Sequence, residues 1–269
     1  AFSSKNPLAW LQMKRDGYEA DKNDIIILID GKKVNITENW DETIHSFAWD
    51  SKGEKIYFVA PNFGTVQLFE IKVPKSSNKI TQPKQLTNGQ FDVSGIVGQS
   101  KNILVVNRKD MNHATELYTY NLKNGALKQL THANDATYNA ITLSKVEKRM
   151  VKTNDGKDML TWVIYPPNFD PSKKYPTILY CKGGPQGPLS QSYSFRWNYQ
   201  LMAANGYIIV APSRRGMSGF GIAWNEQISK DYGGQNMKDY LAAIDDISKE
   251  SYVDTERLGC IGASYGGYS

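Results

Sequence analysis

The chain has 269 residues, enough for two cores, with 40% hydrophobic residues and a formal charge of +5 from 32 basic and 27 acidic side chains. Basic and acidic residues are interspersed without a dense Lys/Arg run, which leaves nucleic-acid binding unsupported, and no apolar stretch approaches the span of a membrane helix. Two cysteines define no redox compartment, no Cys/His cluster has metal-ligand spacing and no phosphate-cradling motif occurs, so neither a metal nor a cofactor is expected.

The first half is repetitive. Ile27-Leu28-Ile29 followed by Asn35-Ile36-Thr37, Leu68-Phe69-Glu70-Ile71 followed by Gln85-Leu86-Thr87, and Leu117-Tyr118-Thr119-Tyr120 followed by Gln129-Leu130-Thr131 are three versions of one unit. Their spacing of roughly 40 to 50 residues is that of four-stranded propeller blades. In the second unit, Phe47 to Val59 reads as strand, polar turn at Gly53, strand, a blade hairpin. Propellers close rings of about 4 to 8 blades, so about three blades make a partial β-propeller. The first lacks its opening strands, Ala1 is not expected to be the native N-terminus, and further blades are expected to complete the ring, because an open arc exposes unpaired strand edges. His45, His113 and His132 all fall in this half and read as surface or hydrogen-bonded structural residues.

The blade pattern ends near Ile141 to Lys145, dividing the chain into 1–143 and 144–269. Val146 to Thr153 and Met159 to Tyr165 predict two strands joined through Asn154-Asp155-Gly156. Pro176 to Cys181 and Gly206 to Ala211 are continuous apolar runs, as expected of strands covered on both faces. A helix is expected near Trp197 to Ala204, and another over Gln235 to Lys249. The second aligns Met237, Tyr240, Leu241, Ile244 and Ile247 on one stripe, with Lys238, Asp239 and Asp245 off it. Arg257 to Ile261 reads as a short buried strand. This alternation is the N-terminal part of an α/β-hydrolase domain. Cys181 and Cys260, both on strands expected to be buried, read as free core thiols.

That last strand runs into Gly262-Ala263-Ser264-Tyr265-Gly266, the G-x-S-x-G pattern of a nucleophile elbow, where only small residues two before and two after the serine avoid the neighbouring backbone. Ser264 is the candidate nucleophile, and the Tyr265 N–H, at the start of an expected helix, is one oxyanion donor. The loop after Cys181 supplies the other, with the Gly183 N–H as first candidate and Gly184 as second. Tyr265 and Tyr268 either line an apolar pocket or pack in the core. Asp231 is expected to pair with Arg214 or Arg215 and brace neighbouring loops. An elbow serine is followed in the chain by its Asp or Glu and then its His, and no histidine follows Ser264 here. These residues alone are therefore expected to have no meaningful turnover.

Four stretches, Lys182-Gly183-Gly184-Pro185, Arg214 to Gly221, Asp231-Tyr232-Gly233-Gly234 and Gly262 to Gly267, resemble in order and spacing the prolyl oligopeptidase family of serine peptidases, which includes dipeptidyl peptidases and acylaminoacyl peptidases. The resemblance covers Ser144 to the end as catalytic domain and makes the preceding residues its propeller. It implies Ser264 as nucleophile, the Tyr265 N–H in the oxyanion hole, and a propeller that limits substrates to short peptides. It further implies release of dipeptides or acylated residues from N-termini by the full-length protein, and favours a periplasmic or secreted location over a cytoplasmic one. Some members carry Tyr or His where this chain has Lys182, which favours the Gly183 backbone as second donor. The Lys182 side chain itself is expected to be solvated, the alternative being a bond to an acidic neighbour. A carboxylesterase shares the elbow and oxyanion loop, and a non-catalytic peptide-binding propeller protein would keep the fold; both stay open, as does an oligomer.

Overall fold

The computed structural model describes residues 6–75 and 80–269, so the expectation about Ala1 lies outside the described residues. Each repeat folds as its own antiparallel sheet with strands in sequential order. The first holds β1 (Ala9–Gln12), β2 (Asp24–Ile29) and β3 (Lys32–Asn35). The second holds β4 (Ser46–Trp49), β5 (Lys55–Asn62), β6 (Thr65–Lys72) and β7 (Lys84–Gln85). The third holds β8 (Asp92–Ser100), β9 (Ile103–Lys109), β10 (Glu116–Asn121) and β11 (Leu127–Gln129).

The middle blade shows why its strands are apolar at nearly every position. Successive side chains point to opposite faces, and both faces are covered. Ile56, Phe58 and Ala60 share a core with Ile25, Ile27 and Ile44 of the first blade side. Tyr57 and Val59 share another with Val93, Leu104 and Val106 of the third blade. Phe58 stacks on Phe69 at 5.4 Å, and Trp40 meets both rings edge-on.

The repeated threonine has one job in all three blades. The Thr37 hydroxyl accepts from the Ile25 N–H at 2.9 Å and donates to Asp24 at 2.8 Å. Thr87 accepts from the Leu68 N–H at 2.9 Å and donates to Gln67 at 2.8 Å. Thr131 accepts from the Leu117 N–H at 2.9 Å and donates to the Glu116 carboxylate. Each hydroxyl thus satisfies a strand amide and an adjacent polar side chain that burial would otherwise orphan.

After α1 (Asp135–Asn139) the chain forms β12 (Val146–Lys152), β13 (Asp158–Ile164), β14 (Tyr175–Cys181), α2 (Tyr199–Ala204), β15 (Ile208–Pro212), α3 (Ile222–Glu226), α4 (Gln235–Ile247), β16 (Val253–Gly262) and α5 (Tyr265–Tyr268). Five strands lie in the order β12-β13-β15-β14-β16, with β14 parallel to both β15 and β16 and the first two strands antiparallel. Helices cover both faces. Ile208 and Val210 pack with Tyr240, Ala243 and Ile247 of α4, while Ile209 and Ala211 pack with Ala203 of α2.

Two expectations need correction here. β16 is the edge strand among the described residues, paired with β14 alone, so Cys260 is exposed and Leu258 is 42% exposed, whereas Cys181 is buried. An apolar strand is buried only where neighbours cover it. On α4 the inward face is Asn236, Asp239, Tyr240, Ala243 and Ile247. Asp239 is fully buried because an arginine waits for it inside, and Leu241 is 59% exposed.

Carboxylates fasten the propeller to the hydrolase sheet. Glu42 accepts the N–H groups of Gly219 and Gly221 at 2.6 and 3.4 Å. Asp92 accepts the Val66 and Gln191 N–H groups at 2.8 and 3.2 Å and the Ser190 hydroxyl at 2.7 Å. Burial pushes the Asp92 pKa up to about 6 against the pull of these donors. The folded state therefore holds this proton more tightly than the unfolded chain, and its contribution to stability falls as pH rises from about 4 to 6. Asp92→Asn, which cannot ionise yet keeps an acceptor and a donor, is expected to remove that slope. Relative to wild type it gains about 2–3 kcal/mol between pH 4 and 7, read from denaturant unfolding at the two pH values.

Candidate active site

Strand, sharp turn and helix meet at Ser264, which takes φ 56° and ψ −127° between β16 and α5. A side-chain-bearing residue held at positive φ costs about 1–3 kcal/mol and persists only where its surroundings over-determine it. Here the surroundings are backbone. A Cβ on Gly266 would run into the Cys181 carbonyl oxygen, and one on Gly262 would strike the Gly266 carbonyl and come within 2.8 Å of the Cys181 oxygen. The two glycines thus let the elbow press against the end of β14. Gly183 completes the contact, since a Cβ there would lie 2.9 Å from the Ala263 carbonyl oxygen and 3.7 Å from the Ser264 Cβ. Ser264, Tyr265 and Gly183 are therefore brought together.

Two adjacent arginines support this arrangement from below. Arg214 is 0% exposed, and its guanidinium donates to the Tyr240 hydroxyl at 3.1 Å and to the carbonyls of Pro185, Arg215 and Lys182 at 3.0, 2.8 and 3.3 Å. It also lies 4.9 Å from the centre of the Tyr265 ring. One side chain thereby ties the loop after β14 to the residue following the candidate nucleophile. Arg215, 1% exposed, pairs with Asp239 at 3.1 Å and Asp155 at 2.7 Å and packs over Trp224. Two arginines one residue beyond a wholly apolar strand were the available signal for buried guanidinium groups.

Asp231 does not brace either arginine. Its carboxylate accepts the Gln235 N–H at 3.3 Å and lies against Gly234, capping the start of α4, while Asp239 and Asp155 take Arg215. A carboxylate a few residues before a helix finds the helix's free amides first. Of the two aromatic residues left open, Tyr265 is buried, donates to the Tyr232 carbonyl at 2.6 Å and meets Asn236. Tyr268 is exposed. Lys182 is half-buried instead of fully solvated as expected: its Nζ donates to the Gly183 carbonyl at 3.3 Å, and burial, with the charge of Arg214, pushes its pKa down to about 8.

The histidines stay apart from the elbow. His113 bonds Asp110 at 2.8 Å, His132 bonds Asp135 at 2.6 Å, and the His45 N–H pairs with the Val59 carbonyl at 3.0 Å. Among the described residues none hydrogen-bonds to Ser264. No helix there is long and apolar enough to cross a membrane.

Comparison with known proteins agrees with this architecture. The family model of the dipeptidyl peptidase IV N-terminal region matches residues 18–160, and that of the prolyl oligopeptidase family matches residues 193–269. Dipeptidyl-peptidase 5 of Porphyromonas gingivalis is 46% identical over 266 residues, covering 97% of this chain and 38% of that protein. Dipeptidyl-peptidase 5 of Porphyromonas endodontalis is 46% identical over 264 residues, covering 97% of this chain and 37% of that protein. The chain thus spans under two fifths of the length of these relatives. Among solved structures, Pyrococcus horikoshii acylaminoacyl peptidase superposes with a TM-score of 0.83 at 23% identity, over 98% of this chain and 40% of that one. Propeller sheets followed by a hydrolase sheet with an elbow, matched by both family models in chain order, place the chain in the prolyl oligopeptidase family.

Proposed function

We propose that the full-length protein is a serine peptidase that releases dipeptides from the N-termini of short peptides, with Ser264 as nucleophile. The observation that carries this reading is the elbow itself: a serine at positive φ whose flanking glycines seat it against the Gly183 loop. Ser264 Oγ attacks the scissile carbonyl. The Oγ proton passes to the base and the N–H groups of Tyr265 and Gly183 receive the oxyanion. Its collapse breaks the C–N bond and expels the remaining peptide as an amine that takes that proton. Water then hydrolyses the acyl-enzyme, releasing the dipeptide and restoring Ser264. Because no described histidine reaches Ser264, the base is assigned to residues outside these 269, and the chain by itself is inactive. The catalytic domain in this reading starts at residue 144. The shared name of the Porphyromonas relatives supports dipeptide release over release of acylated residues and peptide over ester substrates.

A fluorophosphonate probe tests the assignment. Full-length protein is expected to label at one site, with labelling abolished in Ser264→Ala, and dipeptides are expected as products from peptide substrates. An unlabelled full-length protein would point instead to a peptide-binding propeller protein, and an ester kcat/KM far above that for peptides would point to a carboxylesterase.

A further inference from the structure

Around the loop that touches the candidate nucleophile, two cations have no carboxylate partner among the described residues. Lys182 immediately precedes Gly183, and its Nζ reaches the Gly183 carbonyl at 3.3 Å; among the described residues it has no carboxylate partner. Arg214, behind the same loop, is likewise without a carboxylate and directs its donors to carbonyl oxygens and the Tyr240 hydroxyl. Asp92, which approaches this region through Ser190, is already committed to the Ser190 hydroxyl and two backbone N–H groups.

A cavity of about 200 Å³ opens on Lys182 and is walled by Ser190, Ser192, Ser194 and the rings of Tyr180 and Tyr199. The Ser194 oxygen accepts the N–H groups of Arg196 and Trp197 at 3.2 and 2.9 Å, which leaves its own proton to donate. Tyr180 and Tyr199 meet edge to face at 4.9 Å, and burial raises the pKa of both phenols, which keeps them uncharged. The cavity therefore offers an ammonium and the hydroxyls of Ser192 and Ser194 on an aromatic wall, with no carboxylate among its lining residues, while the Ser190 hydroxyl is taken by Asp92 behind it. An ammonium withdrawn from water without a counter-ion is costly, and a ligand carboxylate that pairs with it recovers that cost.

We propose that this cavity takes the carboxylate of an acidic substrate residue adjoining the scissile bond, held by Lys182 Nζ and the hydroxyls of Ser192 and Ser194. Lys182 is the link between this cavity and the elbow, since it lines the cavity and the next residue, Gly183, is the one that touches Ser264. The partly desolvated state of Lys182, which lowers its pKa to about 8, is that of a cation awaiting a partner. This inference rests on the peptidase reading and names a substrate preference for the same site.

The test uses full-length enzyme and peptide sets in which the residue on either side of the cleaved bond is Glu, Gln or Lys. The readout is the ratio of kcat/KM for Glu over Gln within each enzyme, which cancels differences in the amount of active protein. Wild type is expected to favour Glu over Gln about tenfold at one of the two positions, the size of one charge-assisted hydrogen bond, and to disfavour Lys there. Lys182→Met is expected to bring the ratio below about threefold, and Lys182→Arg to retain most of it. If Lys182 only braces the Gly183 carbonyl, Lys182→Met slows Glu and Gln peptides alike and the ratio survives, which overturns the proposal. Equal cleavage of Glu and Gln peptides by wild type overturns it too. Failure to cleave any peptide, neutral ones included, with Ser264 unlabelled, is a different result: it removes the peptidase reading and this inference with it.

Discussion

Ser264→Ala in the full-length protein is expected to lower kcat by about 10⁵- to 10⁶-fold, roughly 7–8 kcal/mol of transition-state stabilisation, with KM little changed. On the proposed mechanism the loss should be that large because no other group there can take the place of Ser264: the proposed donors, the Tyr265 and Gly183 N–H groups, would stabilise an oxyanion that no longer forms. Stability should move by less than about 1 kcal/mol, since alanine at φ 56° keeps the same backbone contacts and the Ser264 hydroxyl donates no hydrogen bond among the described residues. Steady-state kinetics on peptides, with thermal unfolding in parallel, separates the two effects. A variant retaining more than about a hundredth of wild-type kcat would show that another group attacks the substrate.

Arg215→Ala is expected to be the most damaging substitution for the fold, at about 3–5 kcal/mol. Arg215 and Asp239 are 1% and 0% exposed, and the Arg215 backbone N–H also donates to Asp239 at 2.9 Å. Burial already pushes the Asp239 pKa up, with the Arg215 contacts opposing it. Removing the guanidinium leaves a carboxylate inside the protein with one backbone donor and Gln235 for company. The double variant Arg215→Met, Asp239→Leu should recover most of the loss, because replacing a whole buried pair with apolar groups is far cheaper than breaking it. Denaturant unfolding of the two variants checks this. Equal destabilisation of single and double variants would mean that packing against Trp224, at 4.7 Å, and not charge, is what Arg215 supplies.

What the sequence revealed and what it hid follow from the range of the interactions involved. Blade hairpins, the parallel strands and the elbow are written in local periodicity and in glycine spacing, so Phe47 to Val59, Gly206 to Ala211 and Gly262 to Gly266 were legible. The pairing of side chains distant in the chain was not. Asp231 looked like the partner of Arg214 or Arg215 because it sits in a nearby motif, yet the buried partner is Asp239, on a helix face that the apolar stripe made look solvated. Cys260 resembled a core residue because its strand is apolar, and it is exposed here because β14 alone flanks that strand among the described residues. Lys182 gave no sign of its partial burial, which arises where it shares a cavity wall with Tyr180, Leu189 and Trp197, residues that the sequence pattern does not set beside it.

The threonine hydroxyls at Thr37, Thr87 and Thr131 carry a consequence for how the propeller loosens. Each fastens a blade to itself, joining its own strand amide to its own acidic or amide side chain without touching the next blade. Opening of these hydroxyl bonds is therefore an event within one blade, with its own opening free energy. Amide exchange at Ile25, Leu68 and Leu117 would report three separate clocks, and loss of one hydroxyl would speed one of them while the other two keep time.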